Sequence, residues 1–445
     1  MAMISFVVAA YNVESTISRC LESLVRQTFD DIEIVVVNDA STDGTLTAVQ
    51  QYAQQDTRVQ VIDKPKNRGL HLARRTGAAR THGQYVMFVD GDDELELTAA
   101  EILLRYLEHR DCDMLKFGRQ IIPVGETASR NMFAEEHAFN VSVGTVRGED
   151  IVSSIFSETL DTRTTWSMID ILFKGDFVRR GFAGMADEYL GNLEDSYECF
   201  VLASQADTMR SFTEFRPLRY YFGGGISGYS HIAVDVFERN QDLAHASMMS
   251  VLDYARECHN ETITRCARWY ELTVLGIEGR EWVGRVAESE QLMAAQMLRN
   301  TWGDEYTVGM ILEPLLPRAR FIDADGHYPA EADPYVRWSR ALHSMDLDQV
   351  KDPVILEQLR EYQCIDERIE QREQERLEEE RRQHIEQMRI ERERLLAEQR
   401  EADAHESKRL FKQGSAPRRL LDSVFPESGK VRHALRRIAL VVLRR

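Results

Sequence analysis

Three carboxylates fall within four positions at Asp90, Asp92 and Asp93, with Gly91 between the first two, directly after the strand-like run 84–89. Like charges crowded at the end of a buried strand repel one another, which costs stability unless a cation or donor compensates. Hard oxygen ligands that leave coordination positions open suit Mg2+ or Mn2+ bridging a diphosphate. Three other strand-like runs in the first 70 residues also end in polar residues. The first leads through Ala9 and Ala10 to Tyr11 and Asn12, the second to Asn38 and Asp39, and the third to Asn67, Arg68 and Gly69. Helix capping accounts for Ser41, Thr42 and Asp43, because an N-cap there opens the next helix.

The elements that position these residues alternate. Apolar, β-branched runs at 4–10, 32–37, 59–62 and 84–89 read as buried parallel strands. Between them, 14–28 places Ile17, Leu21, Leu24 and Val25 on one helical face, and 43–54 does the same with Leu46, Val49 and Ala53. A third helix is expected over 70–80. Such units imply an α/β fold with a mostly parallel sheet and right-handed crossovers, whose ligands bind beyond the carboxyl ends of the strands. Past residue 94 the pattern is mixed: a helix over 95–109, a strand over 113–122, a loop-rich stretch, a helix over 194–205 and aromatic strands near 212–222. From 232 to 362 it is mostly helical.

Composition bounds the function classes. The 445 residues carry 55 Lys+Arg against 74 Asp+Glu, a net charge of −19, which excludes a nucleic-acid coat. Six scattered cysteines with no Cys-x-x-Cys pair fit a reducing compartment, neither a zinc site nor a disulfide framework. The N-terminal apolar run is of strand length with no basic region before it, so no signal peptide is expected. The charge is unevenly spread. Residues 366–401 hold 13 acidic and 9 basic residues without Gly or Pro, paired at i,i+3 and i,i+4, as an exposed helix would have them. Ile385, Met388 and Leu395 fit a heptad that Arg392 and Gln399 break, leaving a solvated helix and a weak, homo-oligomer-forming coiled coil both open. From Glu406 onward there are 11 Lys/Arg and 3 acids, a net +8. Within 418–445, Val431, Leu435, Ile438 and Val442 form an apolar stripe beside basic residues, which fits an amphipathic segment lying on an anionic membrane, or a helix that packs on a partner.

The segments 5–12, 35–45, 67–77 and 83–93, in this order and spacing, resemble the family 2 glycosyltransferases with a GT-A (Rossmann-like) fold. The likeness is close over the first 95 residues and looser to about 230. It implies an inverting transferase that moves a sugar from a nucleotide-sugar, most simply a UDP-sugar, with Mn2+ or Mg2+. By resemblance, Ala9, Tyr11, Asn12 and Asp39 hold the nucleobase and ribose, and Asn67 and Arg74 lie along the nucleotide. Asp90, Gly91 and Asp92 form the Asp-x-Asp motif, with Asp92 the direct metal ligand and Asp90 beside it. Glu194 and Asp195 resemble the acidic pair that opens a helix on the acceptor side. Asp195 is then the general base and Glu194 an acceptor contact or alternative base, with Asp187 and Glu188 as competitors nearby. The bland alternative is that both acids merely favour a helix N-terminus. Residues 218–227 resemble the family's aromatic strand and diphosphate loop, where glycines replace the usual Arg and Ser227, Ser230 or His231 could substitute. Further departures are Ala9 for a proline, Arg75 for an asparagine, and Met168 to Asp170 where an Asn-Lys pair follows the Trp.

The expected organisation is a GT-A domain over 1–230, divided into a nucleotide half (1–93) and an acceptor half (94–230). A helical domain follows at 231–362, then a charged helix at 363–413 and a basic amphipathic tail at 414–445. The expected acceptor is a cell-envelope or capsular glycan, free or lipid-linked, and the expected location is cytoplasmic, with the tail on the inner face of the membrane. A competing reading is a non-catalytic scaffold that keeps the nucleotide-sugar fold and gathers partners through its charged helix. Retention of Asp39, Asp90, Asp92 and Asp195 together argues against it. A nucleotidyltransferase would need a Gly-rich phosphate loop with a Lys after the first strand, which is lacking.

Overall fold

In a computed structural model of the chain, described for residues 3–157, 163–223, 230–326, 328–330 and 332–412, the opening alternation is realised. Strands β1 (Ile4–Ala10), β2 (Ile32–Asn38), β3 (Val59–Asp63) and β4 (Tyr85–Asp90) alternate with helices α1 (Ile17–Val25), α2 (Thr45–Gln55) and α3 (Gly69–Ala78). Every pair among β3, β2, β1 and β4 is parallel. Ile4, Phe6 and Val8 of β1 pack with Ile17, Leu21 and Leu24 of α1 on one face of the sheet, while Val35, Val37 and Ala73 pack on the other. This two-sided burial is why the strands read as continuous apolar runs. On the α3 side the fit is close: a Cβ on Gly77 would lie 2.3 Å from Val7 Cγ1.

Next come β5 (Glu94–Leu95), α4 (Ala99–Leu107), β6 (Met114–Phe117), β7 (Arg119–Pro123), α5 (Glu126–Phe139), β8 (Thr145–Arg147), α6 (Glu149–Ser153), β9 (Ile171–Lys174), α7 (Gly175–Gly184), α8 (Glu194–Gln205), β10 (Thr208–Phe212) and β11 (Leu218–Phe222). The main sheet runs β3-β2-β1-β4-β9-β6-β10-β8, and β5-β11-β7 form a second, three-stranded sheet. The sheet is mostly parallel, with antiparallel pairs at β4–β9, β6–β9 and β10–β8. Two sequence expectations are corrected here. The single strand over 113–122 is two strands in different sheets, separated at Gly118, where a Cβ would meet Thr213 O at 2.4 Å. The loop-rich stretch contains α5, a helix with only Ala128 buried, so its periodicity is faint.

The C-terminal half is helical: α9 (Val234–Cys258), α10 (Glu261–Arg285), α11 (Gln291–Asp325, kinked at Gly303), α12 (Pro334–His343) and α13 (Pro353–Lys412). Residues up to 325 and 329–366 form one compact unit. The first turns of α13 belong to it and bury Ile355, Leu359, Tyr362 and Ile365. Residues 326, 328 and 367–412 cluster separately. There, every side chain from 374 to 409 is exposed. Glu378 and Glu379 pair with Arg382 and Glu386 with Arg389, as the spacing predicts, while Arg394 pairs forward with Glu398. The basic amphipathic segment 418–445 lies outside the described residues. Among the described residues no helix is long and apolar enough to cross a membrane.

Candidate functional site

The carboxyl ends of β1, β2 and β4 gather the predicted residues at one edge of the sheet. Asn12 has a left-handed backbone (φ 52°), and its Oδ1 accepts from Thr42 N at 2.8 Å, so it braces the turn after β2. Asp39, buried beyond β2, accepts from the backbone N–H groups of Arg68 (2.9 Å) and Gly69 (2.8 Å) at the start of α3. Its other oxygen faces Lys64 Nζ at 2.5 Å. Asn67 Oδ1 accepts from Gly69 N at 3.2 Å. Gly69 itself needs its positive φ of 84°, and a Cβ there would lie 2.7 Å from Leu190 O. Tyr11 stands exposed beside this group, and so does Tyr189, whose hydroxyl is raised by partial burial and then by the charge of Asp39.

At the end of β4, ligand oxygens of Asp90, Asp92 and Asp93 lie within 4.8 Å of one another. Burial, then the charge of Asp90, pushes the Asp92 carboxyl up to about 6. Asp93 is raised by the same causes and by the charge of Asp92. One Asp93 oxygen accepts from Tyr221 N at 3.0 Å, and among the described residues its Oδ2 is buried with no hydrogen-bond partner. An acid cluster of this kind, with hard donors and an unsatisfied buried oxygen, fits a divalent cation.

The second acidic group opens α8. Leu193 takes a left-handed conformation (φ 59°), and Glu194 and Asp195 follow in the first turn. Burial raises both carboxyls; the Asp195 charge adds to it for Glu194 and the Glu198 charge for Asp195, with Arg74 opposing in each case. Arg74 joins the two acidic groups. It is 3% exposed, and its Nη2 donates to Asp90 Oδ1 at 3.1 Å. Nη1 donates to Glu198 Oε2 at 3.0 Å and lies 3.8 Å from Glu194 Oε1. Three carboxylates enclose it. Arg75 donates to Ala186 O at 3.4 Å and faces Asp187 at 3.5 Å, in a 330 Å³ depression shared with Lys64 and Arg68.

Sequence reasoning missed Glu198 and His71. The ring nitrogens of His71 lie 2.9 Å from Glu198 Oε1 and 3.0 Å from Ala186 O, so α3 and α8 are tied by a buried His–Glu–Arg group. The available signal was spacing: Glu194 and Glu198 are four apart and His71 and Arg74 three apart, which puts each pair on one helix face. Of the weaker assignments, His231 rests against Arg285 O at 3.2 Å, and Ser227 lies outside the described residues.

Residues 5–162 match the sequence profile described as Glycosyl transferase family 2. They belong to that family. The glycosyltransferase domain so defined extends from β1 beyond α6, and so carries the three-carboxylate cluster but not α8. The chain is 40% identical over 116 residues to the uncharacterized glycosyltransferase EpsJ of Bacillus subtilis, which covers 26% of this chain and 33% of EpsJ. It is 33% identical over 162 residues to the poly(ribitol-phosphate) beta-glucosyltransferase of Bacillus spizizenii, covering 35% of this chain and 21% of that protein. The chain thus spans a third or less of the length of these two relatives. Among solved structures, S. aureus TarS residues 1–349 in complex with UDP-GlcNAc aligns over 77% of this chain and 92% of that one, at 18% identity and a TM-score of 0.47.

Proposed function

We propose that the protein is an inverting glycosyltransferase that moves a sugar from a UDP-sugar to a cell-envelope glycan, with Asp195 as general base. The observation that carries the proposal is the pairing of two acidic groups, one at the end of β4 and one at the start of α8, held in register by the buried Arg74. A donor and an acceptor each need one such group. The family membership of residues 5–162 supports the donor side, and the poly(ribitol-phosphate) beta-glucosyltransferase relative supports an envelope polymer as acceptor.

In this reading Tyr11 and Tyr189 offer aromatic faces to the nucleobase, and Asp39, already fixed by two backbone donors, accepts from its edge. Asp90 and Asp92 would hold Mn2+ or Mg2+, whose contribution is to neutralise charge on the departing diphosphate. Asp195 takes the proton of the acceptor hydroxyl while that oxygen bonds to the anomeric carbon. The bond from that carbon to the diphosphate oxygen breaks, and the configuration inverts. Burial suits Asp195 to this work, because a carboxyl raised toward the operating pH is a stronger base than an exposed one. Arg74 keeps the neighbouring Glu198 charge compensated so that Asp195 can ionise.

The test is UDP release from UDP-glucose, UDP-galactose and UDP-N-acetylglucosamine, with MnCl2 and with EDTA. Release from at least one donor that EDTA abolishes is expected. No release from any donor under any metal condition refutes the proposal.

A further inference from the structure

We infer that the helical domain takes part in the reaction through Tyr270 and Ser247, positioning residues that hold the turn from which Asp195 projects. The inference rests on the assignment of Asp195 as base. Leu193 lies in the left-handed region, where a side chain other than glycine is strained and must be held by its surroundings. Both peptide carbonyls at this turn are held. Ser247 Oγ, on α9, donates to Asn192 O at 2.6 Å. Ser196 Oγ donates to Leu193 O at 2.5 Å and lies 2.5 Å from the hydroxyl of Tyr270, on α10.

The direction of that chain follows from counting protons. A serine hydroxyl has one, and Ser196 commits it to Leu193 O, so the Tyr270 hydroxyl donates to Ser196 Oγ. Tyr270 is fully buried and cannot swing away: Phe156 and Trp166 meet its ring edge-on at 5.8 and 5.7 Å. A third link runs from Asn192 Nδ2 to Asn240 O of α9 at 3.2 Å. Two helices of the C-terminal half thus grip consecutive peptides immediately before Glu194 and Asp195. Among the described residues the β4 carboxylates make no direct contact with α9 or α10, and Asp90 is linked to this turn through Arg74. The helical domain should therefore govern the acceptor-side step and leave donor binding untouched.

The experiment uses the full chain with UDP-glucose, UDP-galactose and UDP-N-acetylglucosamine in MnCl2, comparing wild type, Tyr270→Phe, Ser247→Ala and Ser247→Thr. We expect kcat for UDP release to fall about tenfold or more in Tyr270→Phe and Ser247→Ala, since sub-ångström displacement of a reacting group has effects of this order. The donor KM and the Kd for UDP should stay within twofold of wild type. Ser247→Thr, which keeps the hydroxyl, should recover most of the loss; a merely structural role would move the melting temperature without this split. Should Tyr270→Phe fail to fold, the two Ser247 variants decide alone. An active wild type with kcat unchanged in the folded variants overturns the positioning role only, whereas a wild type that releases no UDP overturns the proposed function and this inference together.

Discussion

Replacing Asp92 with Asn removes a charge that the folded protein holds at a cost. Burial and Asp90 raise this carboxyl from its ordinary 3.8 to about 6. Between those values the folded state binds the proton and the unfolded state does not, so stability falls as pH rises through the interval. The difference corresponds to roughly 3 kcal/mol at pH 7 in metal-free protein. Asp92→Asn carries no charge to repel Asp90 and Asp93, so it should be more stable than wild type by up to about 3 kcal/mol at pH 7. For a folding unit of this size that is on the order of 5 °C in Tm, and the gain should shrink as pH is lowered toward 4. Wild type should gain stability when MnCl2 and UDP are added, because ligand that binds only the folded state stabilises it; the variant should gain little. Differential scanning fluorimetry with EDTA and with MnCl2 plus UDP reads both effects. An EDTA-treated variant that melts at or below wild type at pH 7 refutes the electrostatic reasoning, and full retention of the metal-dependent gain refutes the site.

Arg74→Met should destabilise the protein by about 3–5 kcal/mol in urea unfolding, because it strands the buried carboxylate of Glu198 that Arg74 now neutralises. Glu278, buried in α10 with Gln241 Nε2 donating to it, is pushed up to about 7, chiefly by burial. Glu278 should therefore contribute a decline in wild-type stability between about pH 5 and 7, and Glu278→Gln should flatten the slope by that share and gain roughly 3 kcal/mol at pH 8, measured by urea unfolding at both ends. Gly77→Ala should cost about 1–3 kcal/mol in the same assay, since its methyl would meet Val7 on β1.

What could be read from the sequence follows burial geometry. Strands β1, β2 and β4 are covered on both faces, so they show as largely apolar runs, while the edge strand β3 leaves Gln60 exposed; the polar residues at the carboxyl ends stand out against these runs. The acid group at Asp90, Asp92 and Asp93 was legible for that reason. Helix α8 was legible to its first residue, Glu194, because two acids precede a largely apolar run. By contrast α5 buries only Ala128 and leaves Phe133 exposed, so composition gives it no face. The change of sheet at Gly118 depends on Thr213 and Arg216, nearly a hundred residues later. Only the resemblance placed Arg74, along the nucleotide, because two of its partners, Glu194 and Glu198, lie over 100 positions away. Glu198 was missed for the same reason. The connection from Tyr270 to Ser196 spans 74 residues and carries no local signal.

The most direct measurement compares wild type with Asp195→Asn for UDP release from the active donor in MnCl2, alongside calorimetric binding of UDP. The account predicts a UDP Kd within a few-fold of wild type and a kcat at least 100-fold lower, in keeping with the loss of a general base. An Asp195→Asn variant that turns over at the wild-type rate would contradict it.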